Sequence, residues 1–219
     1  MNHDLKDFLA QLLNGQDLTE DQSEELMTAL AAGSVEPALA GALLVSLRMK
    51  GESAEEVRGF ANGMRKAAKE VVLENSSELI DIVGTGGDGS HSFNISTGAA
   101  LLSAACGLKV AKHGNRSVSS KSGSADLLEF LGYRFPMDAD GVKAQIKKNG
   151  FSFLFAPNFH PAMKHIAPIR QALKARTVFN ILGPLTNPAN PSFYLLGAFS
   201  SEMASLMASS LSGMDMNRA

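Results

Sequence analysis

Leu79-Ile-Asp-Ile-Val-Gly-Thr-Gly-Gly-Asp-Gly89 is the stretch that decides the fold. Leu79 to Val83 is a short, largely β-branched run, so a strand is expected there, and Gly84 breaks it at once. The glycine-rich loop passes through Ser90-His-Ser-Phe-Asn-Ile-Ser-Thr97 into a helical stretch from Thr97 to Cys106 that Gly107 ends. Leu108-Lys-Val-Ala-Lys112 is the next strand. Strand, glycine loop, helix, strand is a βαβ unit, which implies a parallel sheet with right-handed crossovers. The alternation continues downstream. Helices are expected at Ser124–Leu131, at Asp138–Lys148 with Asp138 as its cap, at Ala162–Leu173 and at Glu202–Leu211. Strands are expected at Phe151–Phe155 and Phe193–Leu196.

Upstream of Glu78 the period is helical. Asp4 to Leu13 carries apolar residues at helical spacing, stopped by Asn14-Gly15. Thr19-Glu-Asp-Gln22 and Ser53-Ala-Glu-Glu56 are capping-box patterns, in which a hydroxyl and a long acceptor satisfy free amides at a helix start. The first opens a helix to Ala32, the second one to about Glu70, and between them Ser34 opens a more apolar helix closed by Lys50-Gly51. The fold class is therefore α/β: an N-terminal helical domain at residues 1–72, then a parallel-sheet domain at 73–219. That second domain is expected to be incomplete at its C-terminus, with 162–190 packing near the hinge and the helical domain.

Composition narrows the function. Hydrophobic residues at 45% and charged residues at 19% are ordinary for a globular protein. No apolar run is long enough to cross a bilayer, and Met1-Asn-His-Asp-Leu-Lys-Asp has no signal-peptide form, so a cytoplasmic location without membrane attachment is expected. A net charge of -2 argues against nonspecific nucleic-acid binding, which needs basic surface to neutralise phosphates. The one cysteine, Cys106, lies in an apolar helical run and reads as a buried thiol. His3, His91, His160 and His165 read as structural or surface residues, and Met203, Met207, Met214 and Met216 as helix packing.

Two loops carry chemistry. Gly84, Gly86 and Gly87 allow backbone angles that let successive amides point at one anion, and Ser96 and Thr97 stand at a helix start that also favours negative charge. The same pattern fits a capped strand-to-helix turn. Asp88 would repel a bare phosphate, so its presence points to a phosphosugar or a metal–pyrophosphate complex. The second loop, Lys112-His-Gly-Asn-Arg-Ser-Val-Ser-Ser-Lys-Ser-Gly-Ser124, gathers Lys112, His113, Arg116 and Lys121 with five serines before a helix. It reads equally well as an anion site or as a solvated, flexible loop.

Taken together the two loops resemble the anthranilate phosphoribosyltransferase family. The resemblance extends to Leu47-Arg-Met-Lys-Gly-Glu-Ser53 and Phe179-Asn-Ile-Leu-Gly-Pro-Leu-Thr-Asn-Pro188. It implies a nucleoside-phosphorylase-like fold, a homodimer, Mg2+ as cofactor, and phosphoribosyl pyrophosphate and anthranilate as small-molecule substrates. By that resemblance Gly84, Gly86, Gly87, Asp88, Asn94, Ser96, Thr97, Lys112, Ser120 and Ser124 bind phosphoribosyl pyrophosphate, with Ser96 holding the metal. Gly84, His113, Asn115, Arg170 and Gly183 line the anthranilate site, and Lys112 and His113 are the expected catalytic pair. The family also carries an Asp-Glu pair for a second magnesium, and no Asp-Glu dipeptide occurs in these 219 residues. Loss of activity through truncation is therefore one expectation. A pyrimidine nucleoside phosphorylase and a non-catalytic nucleic-acid-binding relative are the alternatives.

Overall fold

The computed structural model describes residues 4–73, 76–86, 93–117 and 122–219. Its helices, in chain order, are α1 (Leu5–Leu13), α2 (Glu20–Ala32), α3 (Pro37–Lys50), α4 (Ala54–Lys66), α5 (Ile95–Ala105), α6 (Ser124–Phe130), α7 (Ala139–Asn149), the single turn α8 (Ala156–Phe159), α9 (Met163–Leu173) and α10 (Ser201–Ser212). The strands are β1 (Leu79–Gly84), β2 (Lys109–Gly114), β3 (Phe151–Phe155) and β4 (Phe193–Gly197). The chain divides into two compact units. Unit 1 holds the residues up to Ala68 with His160–Thr186 and Ser209–Met214, and unit 2 holds Lys69–Phe159, Asn187–Ala208 and Asp215–Ala219.

In unit 1 both capping boxes form, Thr19 with Gln22 and Ser53 with Glu56. Gly33 ends α2 in the left-handed conformation at φ +70°, where glycine has no steric cost. Glu36, not Ser34, caps α3, because its carboxylate accepts from the amides of Ala38 and Leu39, while the Ser34 hydroxyl donates back to the Ala29 carbonyl. Helix α4 stops at Lys66, short of Glu70. Its N-terminal Glu56 is fully buried and accepts from Leu18 N (2.9 Å), Ser53 N (2.8 Å) and Lys50 Nζ (2.8 Å).

Helices α2 and α4 approach so closely that glycine is required on α4. A Cβ on Gly59 would lie 2.2 Å from the Glu20 carbonyl oxygen, and one on Gly63 would lie 2.8 Å from the Met27 side chain. We expect Gly59→Ala to destabilise the protein by about 1–3 kcal/mol, since the obstacle is backbone and cannot rotate away. Denaturant melts of the two proteins check this, and an unchanged midpoint would show that the helices part freely.

Unit 2 is built on a four-stranded sheet in the order β3-β2-β1-β4, parallel throughout. One face packs Leu79, Ala111 and Leu154 against Val142 and Ile146 of α7 and Phe159 of α8. The other packs Ile82, Val110, Phe151 and Phe153 against Ala100 of α5 and Ala125 and Leu128 of α6. Cover on both faces is the arrangement expected of a parallel sheet, whose crossover helices lie on its two sides. Strand β4 lies at the sheet edge, and the start of its outer side meets Asn217 and Arg218, with Tyr194 N donating to Arg218 O at 3.0 Å. Cys106 is exposed, contrary to its expected burial. It follows the last turn of α5, whose inward face is set by Thr97 and Ala100. His160, in unit 1, is buried, and that burial pushes its pKa down to about 4.

Candidate substrate site

Strand β1 has β2 on one side and β4 on the other: the chain runs outward from β1 through β2 to β3, then crosses back to place β4 on the far side of β1. In open parallel sheets such a switch point, at the carboxyl ends of the strands, forms the ligand crevice. The Gly84 loop starts there. Thr85 N donates to Gly197 O at 2.9 Å, which joins the ends of β1 and β4. Gly86 sits at φ +65°, a conformation that L side chains rarely adopt. Gly87 and Asp88 lie outside the described residues, as do His91, Ser120 and Lys121.

The far end of this loop is the first turn of α5. The Asn94 carbonyl accepts from Thr97 N (3.0 Å) and Gly98 N (2.9 Å), and Asn94 Nδ2 donates to Ser122 O at 3.3 Å. That last bond ties the first loop to the second. Ser96 is half-buried, and its Oγ would lie 3.8 Å from a Cβ on Gly84. Thr97 is fully buried, and its hydroxyl has no hydrogen-bond partner among the described residues. A buried hydroxyl left unpaired costs about 1–3 kcal/mol, which is a reason to look for a ligand that completes it.

The second loop leaves β2. Lys112 is 1% exposed, and its ammonium donates to the Ile82 carbonyl of β1. His113 is buried, and its amide donates to Asp81 Oδ1 at 3.3 Å. Burial lowers the Lys112 pKa, while the Asp81 charge opposes that shift. Asp81 is fully buried, and burial pushes its pKa up to about 6 against the pull of Lys112, Asn187 and the His113 amide. Gly114 lies against Phe153, where an added Cβ would come within 3.0 Å of the ring. Asn115 is exposed, and its Oδ1 accepts from Arg116 N at 2.7 Å.

Arg116 is not a free cation for a ligand. It binds Glu129 in a two-pronged contact (2.6 and 2.9 Å), reaches Asp126 at 3.3 Å and lies 5.6 Å from the Phe155 ring centroid. Asp126 in turn accepts from Ser117 N (3.0 Å) and Gly123 N (2.7 Å), and these two amides hold its pKa down. The base of the loop is therefore pinned. Gly123 is needed there, because a Cβ would meet Ser117 N at 2.4 Å. Ser124, half-buried, opens α6 directly after it.

Arg170 and Gly183 belong to unit 1. Arg170, on α9, is half-buried, and its guanidinium lies 5.6 Å from the Phe179 ring centroid. Burial alone lowers its pKa, and no carboxylate pairs with it among the described residues. Gly183 is exposed at a 3-10 turn with no heavy atom within 4 Å of its Cβ position.

Two residues at the site were not anticipated. Asp81 was readable as a charge inside an apolar strand, a placement that sheets disfavour. Asn187, which donates to both Asp81 Oδ2 (2.9 Å) and Ala111 O (2.7 Å), had no local signal. As to metal, the described residues contain no group of three or more His, Cys, Asp or Glu able to form a cage. A hydroxyl such as Ser96 beside an anion loop fits Mg2+ carried in on substrate phosphates, since Mg2+ keeps several waters and takes few protein ligands.

This parallel sheet, with its glycine loop at the switch point, defines an α/β domain whose crevice suits an anionic ligand. Residues 76–219 match the family model described as the glycosyl transferase family, a/b domain, and residues 6–68 match that family's helical bundle domain, so the chain belongs to this glycosyl transferase family. Its relatives include the anthranilate phosphoribosyltransferases of Shewanella frigidimarina (46% identical over 218 residues, 98% of this chain and 63% of the relative) and Idiomarina loihiensis (48% over 211 residues, 96% and 62%). Among solved structures, the anthranilate phosphoribosyltransferase of Thermus thermophilus superposes with a TM-score of 0.84 at 47% identity, covering 94% of this chain and 62% of that one. The Saccharomyces cerevisiae enzyme in complex with PRPP and Mg gives 0.86 at 30% identity, covering 95% and 62%. The chain thus spans a little under two thirds of the length of these relatives. Among the described residues no helix is long and apolar enough to cross a membrane.

Proposed function

We propose that this chain carries the substrate-binding part of an anthranilate phosphoribosyltransferase, which moves a phosphoribosyl group from phosphoribosyl pyrophosphate to anthranilate. The observation that carries the reading is the joining of two loops at the switch point. Asn94 of one donates to Ser122 of the other, beside the Thr97 hydroxyl, which has no partner among the described residues, with Lys112 buried on the adjoining strand. Gly84, Gly86, Gly87, Asp88, Asn94, Ser96, Thr97, Lys112, Ser120 and Ser124 then hold phosphoribosyl pyrophosphate. His113, Asn115, Arg170 and Gly183, with Gly84, hold anthranilate. The same reading expects a homodimer in the cytoplasm.

In the reaction the bond from the anomeric carbon to pyrophosphate breaks, and a bond to the anthranilate nitrogen forms. Positive charge grows on the ribose and negative charge on the leaving group, so catalysis rests on electrostatic stabilisation and alignment. Ser96 would help to hold Mg2+, which would supply charge neutralisation to that leaving group. The Lys112 charge and the loop amides add to this stabilisation. An aromatic amine is neutral at pH 7, so attack needs no strong base and no covalent enzyme intermediate. His113 positions the ring and accepts the proton that the nitrogen loses.

Loss of anthranilate fluorescence tests the transfer. It is expected only when phosphoribosyl pyrophosphate, anthranilate and Mg2+ are all present. Release of free base from thymidine or uridine with phosphate would overturn the assignment in favour of a nucleoside phosphorylase.

A further inference from the structure

Strands β1 and β2 pair at Leu79–Lys109 and Ile80–Val110, and there, among the described residues, their register ends. Beyond that point β2 continues with β3 on its other side as far as Gly114–Phe155. The backbone groups that would face each other across β1 and β2 are satisfied by side chains instead. Asn187 Nδ2 donates to Ala111 O, Asp81 Oδ1 accepts from His113 N, and Lys112 Nζ donates to Ile82 O. Asn187 also donates to Asp81 Oδ2, and its own Oδ1 accepts from Ala189 N at 2.9 Å, so its orientation is fixed at both ends. Side chains thus replace the ladder where the sheet opens towards the Gly84 loop.

We propose that Asp81 and Asn187 are a positioning pair for Lys112: they grip β2 at Ala111 and His113, on either side of that lysine, and supply the buried counter-charge for its ammonium. The inference rests on the reading of Lys112 as the anion-binding lysine. A buried carboxylate is costly, and nothing in the surrounding apolar cluster of Leu79, Ala111 and Leu154 calls for one. Beside the amide of Ile82, its partners are Lys112, the His113 amide and Asn187, and these three bear on one short piece of β2. Among the described residues, Asp81 is the one anion whose charge bears on Lys112. Neither α5 nor β3 carries a charged side chain, and on α6 Asp126 and Glu129 are engaged by Arg116 and the loop amides.

The test is Asp81→Asn, with the Lys112 titration read by 13Cε NMR and inorganic pyrophosphate binding read by calorimetry at two pH values. Asparagine keeps an acceptor for the His113 amide but removes the charge. The Lys112 pKa is expected to fall by about one unit or more, and pyrophosphate to bind about tenfold more weakly at pH 8.5, with the deficit shrinking at pH 6.5. A residue that serves only the scaffold would leave the Lys112 pKa unmoved and weaken binding equally at both pH values, and that result would overturn the proposal. If the wild-type chain bound no pyrophosphate, the functional reading would fail, while the Lys112 titration would still decide the pairing. Should Asp81→Asn not fold, Asp81→Asn with Lys112→Met decides. Recovery of the fold supports a charge pair, and no recovery refutes it.

Discussion

Glu56→Ala is expected to destabilise the protein by about 3–5 kcal/mol, the range for removing one partner of a buried ion pair. Glu56 is fully buried, and the Lys50 side chain that meets it is 6% exposed. Truncation strands three donors at once: the Lys50 ammonium, the Leu18 amide and the Ser53 amide. The Leu18 amide loses its acceptor at a buried position, and the Lys50 and Ser53 donors each lose one at a partly buried position. The capping box of α4 is lost with them, because Glu56 is its long acceptor. Lys50 keeps Asp17 and the Gly51 carbonyl, which places a floor under the damage. Glu56→Gln retains an acceptor and should lose markedly less. Denaturant unfolding of the three proteins checks the order, and a Glu56→Ala midpoint close to wild type would mean that water enters and serves those donors.

Arg170→Ala should weaken anthranilate binding by about 1.5–3 kcal/mol, or about 10- to 150-fold, and leave phosphoribosyl pyrophosphate affinity nearly unchanged. The basis is a half-buried guanidinium with no carboxylate among the described residues, stacked over Phe179. Phe179 is itself held edge-on by Phe60, with ring centroids 6.2 Å apart, so the cation is aimed by packing and not by an ion pair. A ligand carboxylate would supply the missing partner. Arg170→Lys keeps the charge but loses the planar fork and the stacking, so it should recover only part of the affinity. Calorimetry with each ligand separately is the measurement. Equal loss for both ligands would show that Arg170 serves the fold and not the acceptor.

Much of this architecture was legible because local chemistry and global fold agree. Thr19-Glu-Asp-Gln22 and Ser53-Ala-Glu-Glu56 announce helix starts through bonds made within four residues, and both boxes form as written. The strand at Leu79, the break at Gly84 and the helix beyond Asn94 are likewise set by neighbours in sequence. What sequence order conceals is pairing at a distance. Arg116 looks like ligand-binding charge until α6 turns Asp126 and Glu129 towards it, although their i,i+3 spacing on a helix was a signal that they share a face. Cys106 looks buried because its neighbours are apolar, yet it lies past the end of α5. Asp81 finds its reason in Asn187, far along the chain, and no periodicity could supply that. The candidate site follows the same division. Its loops could be read from glycine and serine spacing, whereas the polar pair that holds their lysine could not.

The most direct measurement is calorimetric titration of the 219-residue chain with phosphoribosyl pyrophosphate, with and without Mg2+, followed by anthranilate. Saturable binding that requires Mg2+, with anthranilate then binding to the loaded protein, is the predicted result. No binding of phosphoribosyl pyrophosphate in the presence of Mg2+ by a folded chain, or binding of thymidine or uridine in its place, would contradict it.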